Sequence, residues 1–240
     1  PEATKEDIDY LIEHVNRYMN VGLTADDILT TYAGYRPLVE STGARTANLS
    51  RTHVVVQEDN GMVTIVGGKL TTYRRMAQDT VDVLARRDRL PFNHPTQRLL
   101  LSGAIGWRKE KPRIEARGRA LGLDAGVLHH LEFDYGGHAE TILDLIELDR
   151  SLGVRLLADL PYLRAEIVYI SRYEMAVTLD DMLARRTRID LLDRERGTEL
   201  APAVAAVMGR ELAWSSEQVD EASRRYLAGL HQPLIAEKTS

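Results

Sequence analysis

Apolar residues follow two rhythms along this chain. From Ile8 through Leu11, Ile12, Val15 and Met19 they recur at steps of three and four. That spacing predicts an amphipathic helix, with Thr4 and Asp7 three residues apart as its N-terminal cap, ending near Asn20 to Gly22. Thr24 to Asp27 reads as a short turn and Ile28 to Ala33 as a strand reaching Gly34. Pro37 keeps Arg36 extended, so the Arg36 side chain projects from an irregular segment. The Ser-, Thr-, Gly- and Asn-rich stretch from Glu40 to Leu49 is a loop, and Val54 to Val56 is a second strand. Asn60-Gly61, within Glu58 to Gly61, is a hairpin signal returning the chain antiparallel into Val63 to Val66. There the rhythm changes. Gly67-Gly68-Lys69 follows the strand, and Tyr73, Met76, Ala77, Thr80, Val81 and Leu84 then recur at helical spacing, with Arg74, Arg75, Asp79 and Asp82 elsewhere. The reading is strand, glycine turn, helix.

Pro91 and Pro95 break that pattern, and beyond Trp107 only helical periodicity remains. Helices are expected near 112–121, 124–131, 137–149, 161–171, 178–186, 198–209 and 216–229. Pro112 at a first turn, Thr178 with Asp181, and Ser215-Ser216 before Glu217 support three of these. We therefore expect an α+β chain. Residues 1–92 carry the hairpin strands and the helix after the glycines, and residues 93–240 form an all-α domain.

Composition narrows the function. With 240 residues, 44% of them hydrophobic, one large domain or two modest ones can have real cores. The net charge of -5 gives no broad basic field and argues against nucleic acid. Arg185-Arg186-Thr187-Arg188, the densest basic run, reads as a solvated helix face. With no cysteine there is no disulfide, thiolate metal site or cysteine nucleophile. No apolar run approaches the roughly 20 residues that span a bilayer. Because the chain opens Pro1-Glu2 and leads at once into a helix, we expect a piece of a longer protein. His129 and His130 point about 100° apart on a helix and lack a chelating i, i+4 partner, so no metal site is expected. His138 with Glu140 reads as local capping, and Tyr162, Tyr169 and Tyr173 as a helix interface.

The candidate chemistry sits at the glycine turn. The first N–H groups of a helix have no intrahelical partner and carry the positive end of its dipole, so they can face an electron-rich ligand. Gly67 and Gly68 let that ligand approach the backbone. Lys69 is a cation where the dipole repels one, which suggests a bound anion. Hairpin geometry brings Arg51 near Gly67 to Lys69, so Arg36, Arg51 and Lys69 can form a cationic cluster. The alternatives are glycines that serve the turn alone and arginines in surface ion pairs.

Four motifs in order carry a resemblance: Tyr32-Ala33-Gly34-Tyr35-Arg36-Pro37-Leu38, Ser50-Arg51-Thr52-His53, Val66-Gly67-Gly68-Lys69-Leu70-Thr71-Thr72-Tyr73-Arg74, and Tyr173-Glu174-Met175-Ala176 through Leu183-Ala184-Arg185-Arg186-Thr187-Arg188. The chain resembles the C-terminal portion of the FAD-dependent, quinone-linked glycerol-3-phosphate dehydrogenases. The resemblance implies a partial flavoprotein fold whose flavin lies over the helix N-terminus at Gly67, Gly68, Lys69, Leu70 and Thr71. It implies that Arg36 and Arg51 hold the phosphate of glycerol 3-phosphate, and that Lys69 serves both substrate binding and catalysis. The implied reaction is hydride removal from C2 to FAD, giving dihydroxyacetone phosphate, with electrons passed to quinone. For the C2 hydroxyl proton this chain offers no candidate base beyond His53.

No G-x-G-x-x-G follows a strand here, so the segment that would hold the adenosine pyrophosphate is missing. Alone, the chain is expected to bind FAD poorly and not turn over. The resemblance implies a cytoplasmic protein, with peripheral contact at the inner face of the cell membrane and a homodimer as further expectations. Two other readings stand beside it: a related flavin oxidoreductase for another small anionic substrate, and a helical module for oligomerisation or membrane docking.

Overall fold

The computed structural model describes residues 3–35, 52–91 and 93–230. Contacts divide the chain into two compact units, one within residues 34–100 and one built from residues 2–33 and 101–240.

The smaller unit is a hairpin with one helix. Strand β1 (Val54–Gln57) pairs antiparallel with β2 (Val63–Val66), in a register that sets Val54 opposite Val66 and Gln57 opposite Val63. The connection closes through Glu58 N–H to the Met62 carbonyl at 2.8 Å and Gly61 N–H to the Glu58 carbonyl at 2.9 Å. The hairpin is therefore as expected. Helix α2 (Tyr73–Arg87) follows, after a 3-10 turn over Leu70–Thr72. Its far end is fastened to the hairpin loop by Arg87, which donates to the Gly61 carbonyl at 2.6 Å.

Only part of the expected apolar stripe of α2 turns inward. Met76, Thr80 and Leu84 are partly covered, whereas Tyr73, Ala77 and Val81 form an exposed ridge. Asp79 and Asp82, expected on the solvent side, are partly covered instead. They have partners there: His53 for Asp79, and His94 for Asp82 at 3.6 Å.

The larger unit is helical. Helix α1 (Lys5–Met19) starts at a reciprocal Thr4–Asp7 capping box and stops at Asn20, whose φ of 52° is left-handed. Ile28 to Ala33, expected as a strand, forms none. A strand needs a neighbour to complete its backbone bonds, and this segment is held by other means. Thr30 Oγ1 donates to the Leu191 carbonyl at 3.1 Å, and nearby Arg194 donates to the Asp26 carbonyl at 2.9 Å. Residues 2–33 thus group with the helices, whereas the expected division placed them with the hairpin.

The remaining helices are α3 (Trp107–Ala120), α4 (Ala125–Tyr135), α5 (Ala139–Leu148), α6 (Arg164–Tyr173), α7 (Ile189–Leu192), α8 (Ala201–Leu212) and α9 (Ser216–Gly229). Their core holds Leu131, Ile142, Leu143, Leu163, Ile167, Ile170, Met182 and Leu183, all at or below 2% exposure. Each such side chain contributes about 1.5–3 kcal/mol when fully buried. Helix α3 begins earlier than expected, so Pro112 stands inside it rather than in its first turn. The Thr178–Asp181 box forms, yet the stretch Asp181–Arg186 that it opens is π-helical. Ser215 caps α9 through Gln218 N–H, as expected for that region. His138 does not cap α5. It shares a 2.7 Å hydrogen bond with Ser102 instead. Tyr162 and Tyr169 are buried, while Tyr173 is exposed and rests on Tyr169 with ring centroids 5.1 Å apart.

Among the described residues, no helix is long and apolar enough to cross a membrane, and no group of three or more His, Asp or Glu side chains could hold a metal ion.

Candidate functional site

The site is assembled by the turn between β2 and α2. Gly67 and Gly68 have φ of 77° and 91°, both in the left-handed region that glycine tolerates and other residues resist. Gly68 is constrained twice, because a Cβ there would run into Met76 Sδ and lie 3.3 Å from His53 Cβ. The sequence places these glycines correctly at a turn. It does not reveal that Met76 and His53 close on the second of them.

Lys69 returns to extended backbone, with φ of -135°, and carries an exposed side chain. Its N–H donates to Thr72 Oγ1 at 3.3 Å. The Thr72 hydroxyl donates back to the Lys69 carbonyl at 3.0 Å, and Thr72 N–H donates to the same carbonyl at 2.9 Å. This is why α2 begins at Tyr73 and not directly after the glycines. The Thr72 hydroxyl closes a tighter turn first, and that turn presents Leu70 and Thr71 outward. Leu70 is 89% exposed and Tyr73 59%. No acidic residue stands in the first turn of α2, whereas Arg74 and Arg75 do. Arg75 is paired with Asp79, and Lys69, Arg74 and the helix dipole bias the turn toward negative charge. Gly67, Gly68, Lys69, Leu70 and Thr71 are contiguous in space as in sequence. Arg36 and Arg51, expected beside them, lie outside the described residues.

Sequence reading passed over Asp79. Its Oδ2 lies 2.8 Å from His53 Nε2, and Arg75 Nε reaches Oδ1 at 2.8 Å and Oδ2 at 3.0 Å. The Arg75 hydrogen bond first, then that of His53, hold the Asp79 carboxyl below its usual range. An ionised carboxylate accepts only, so His53 Nε2 is the donor. An Arg–Asp pair at i, i+4 is visible in the sequence, but the histidine partner 26 residues earlier follows only from the hairpin.

The helical unit holds a separate polar centre. Glu166 is fully buried, and its Oε2 accepts from His130 Nε2 at 2.7 Å and from the Tyr135 hydroxyl at 2.8 Å. Its Oε1 accepts the Leu163 N–H at 2.6 Å. The other ring nitrogen of His130 lies 3.2 Å from Asp134. Burial alone would lower the His130 pKa, but the Glu166 bond and charge outweigh it and raise the pKa above the usual value. Burial, and then Glu166, drive the Tyr135 phenol far up. This centre binds helices together and is closed to ligands. A cavity of about 410 Å³ elsewhere in this unit is walled by Leu179, Trp214 and Ala222, with Asp180, Glu217 and Glu221 at its lining. Two of those carboxylates are engaged locally, Glu217 by Ser215 and Glu221 by Arg224.

Comparison with known proteins identifies the family. Residues 94–219, more than half of the chain, match the family described as the C-terminal domain of alpha-glycerophosphate oxidase. Mitochondrial glycerol-3-phosphate dehydrogenase of Mus musculus is 36% identical over 237 residues, covering 93% of this chain and 32% of its own length. Glycerol-3-phosphate dehydrogenase 2 of Mycobacterium bovis is 35% identical over 240 residues, covering 99% of the chain and 41% of its own. Among solved structures, the glycerol-3-phosphate dehydrogenase from Bacillus halodurans complexed with FAD superposes with a TM-score of 0.75 at 27% identity, over 99% of this chain and 47% of that one. The chain thus spans about a third of the length of the curated relatives it matches.

Proposed function

Since this chain belongs to the family of the C-terminal domain of alpha-glycerophosphate oxidase, we propose that it is the C-terminal portion of an FAD-dependent glycerol-3-phosphate dehydrogenase. The observation that carries this reading is the Gly67–Thr72 turn. Two left-handed glycines lead into an exposed, acid-free helix start in a chain whose structural neighbour is complexed with FAD. The turn suits a flavin because the exposed Lys69–Thr72 segment stands at a positive dipole end, which favours the charge that reduction adds, while Gly67 is buried and Gly68 packs against Met76 and His53. Gly67, Gly68, Lys69, Leu70 and Thr71 would line the cofactor. FAD, when bound, supplies the acceptor for the hydride leaving C2 of glycerol 3-phosphate. Lys69 would hold substrate close to the flavin, while Arg36 and Arg51 grip the phosphate through the guanidinium fork.

In this reading the hairpin and α2 complete the flavin and substrate site and residues 93–240 form the cap, whose start is supported by the family match beginning at residue 94, while residues 2–33 group with the helices. Electron delivery to quinone, a homodimer, and a cytoplasmic place with peripheral contact at the inner face of the cell membrane belong to the same proposal. The chain alone would bind FAD poorly and not turn over.

The test is substitution in the full-length enzyme. Arg36→Ala and Arg51→Ala should each raise KM for glycerol 3-phosphate by about 10- to 100-fold, the equivalent of one charge-assisted hydrogen bond at about 1.5–3 kcal/mol. Turnover of unphosphorylated glycerol should not change. An equal loss on both substrates would remove phosphate recognition from these arginines.

A further inference from the structure

Helix α2 is held to the hairpin at two places, and the two have different consequences. Arg87 secures the far end, at the Gly61 carbonyl. Asp79, in the second turn, secures the near end through His53 at 2.8 Å, and Arg75 grips the same carboxylate from the exposed side. His53 directly precedes Val54, which pairs with Val66, and Val66 directly precedes Gly67. The His53–Asp79 bond therefore closes a loop of chain whose free part is the Gly67–Thr72 turn. Gly68 packs into the same contact, with Met76 Sδ and His53 Cβ occupying the space its Cβ would need. Both partners are largely covered, His53 at 16% and Asp79 at 26% side-chain exposure.

From this we infer that His53 and Asp79 are positioning residues for the flavin site, a clasp that fixes the direction in which the N-terminus of α2 points. The inference rests on the reading above, in which that terminus faces FAD. A helix end stabilises charge only over its first turn, so a small tilt of α2 displaces the Leu70 and Thr71 amides from the cofactor. The clasp acts through geometry. Arg75 already supplies the counter-charge of Asp79, so His53 contributes the hydrogen bond that ties the helix to the hairpin.

The experiment uses the full-length enzyme with FAD and reads FAD affinity, flavin midpoint potential and melting temperature for His53→Ala, Asp79→Ala and the double variant. Arg87→Ala is the matched control, because it releases the other end of the same helix. Lys69→Ala, at an exposed position, reports whether this turn meets flavin at all. We expect each clasp variant to weaken FAD binding about tenfold and to lower the two-electron potential by about 30 mV, the equivalent of a tenfold loss of preference for reduced flavin. The double variant should be no worse than either single one. Arg87→Ala should lower the melting temperature by a similar amount and leave both flavin readouts in place. If the clasp variants match Arg87→Ala in every readout, or if their effects add, the clasp is structural only and the inference is overturned. In that case a flavin response to Lys69→Ala would leave the FAD reading standing. No flavin response to any of the four single variants would overturn both.

Discussion

At the scale of single residues, the most constrained position is Gly68. Its φ of 91° and the closeness of Met76 and His53 make two independent demands on it. Gly68→Ala adds the cost of a left-handed backbone, about 1–2 kcal/mol, and forces Met76 out of its place. We expect the melting temperature of the full-length protein to fall by several degrees. Gly22→Ala, with φ of 72° but nothing within 4 Å of the added Cβ, should show the backbone cost alone. Equal losses at the two sites would contradict the steric part of this account. The need for glycine at 68 is half legible in the sequence, because a double glycine between a strand and a helix implies unusual dihedrals. The packing against Met76 and His53 is not, since it depends on how the helix carrying Met76, eight residues on, lies on the hairpin. Asp79 escapes for the same reason. Its sequence neighbours place it on a polar face, and only the return of β1 brings His53 to it.

At the scale of elements, local signals succeed where the determinants are local. The Thr4–Asp7 box, the Asn60-Gly61 hairpin and the Ser215 cap are short-range chemistry, and each forms. What fails depends on distant partners. Ile28 to Ala33 has strand-type residues but, among the described residues, no strand beside it, and the π-helical Asp181–Arg186 closes where the buried Thr187 bonds back to the Met182 carbonyl. The pairing of α4 with α6 through His130 and Glu166 is equally non-local, and it makes a signed prediction. His130 has a folded-state pKa above its unfolded value of about 6.5. Its contribution to stability is therefore complete below about 6.5 and is lost as pH rises through the folded-state value. The protein should lose melting temperature from near-neutral to alkaline pH, and His130→Gln should flatten that slope while lowering stability most at the acidic end of the window. A variant that runs parallel to the parent across the window would show that His130 stays neutral between its two carboxylates.

At the scale of the whole molecule, the distribution of uncovered apolar side chains sets the chain's behaviour. Leu11 and Met19 on α1, Tyr73 and Val81 on α2, and the run Leu99 to Leu101 are all more than half exposed. On α1 they belong to the stripe that the sequence pattern marks for burial, of which Ile8 is buried and Leu11, Val15 and Met19 are exposed. An exposed apolar helix face of this kind marks an interaction site or an aggregation hazard. Because the relatives are about three times as long, we expect other parts of the full-length protein to cover these faces. The chain by itself should then bind an apolar-surface dye such as ANS and sediment as species larger than its 27.0 kDa monomer. Leu11→Lys combined with Met19→Lys should reduce both effects without changing the melting temperature of the helical unit, since neither side chain is part of its core. In the full-length protein the same pair should be destabilising, because it would bury two charges. Were the isolated chain to remain a monomer that ignores the dye, the exposed faces would be ordinary surface and the expectation that further chain covers them would fail.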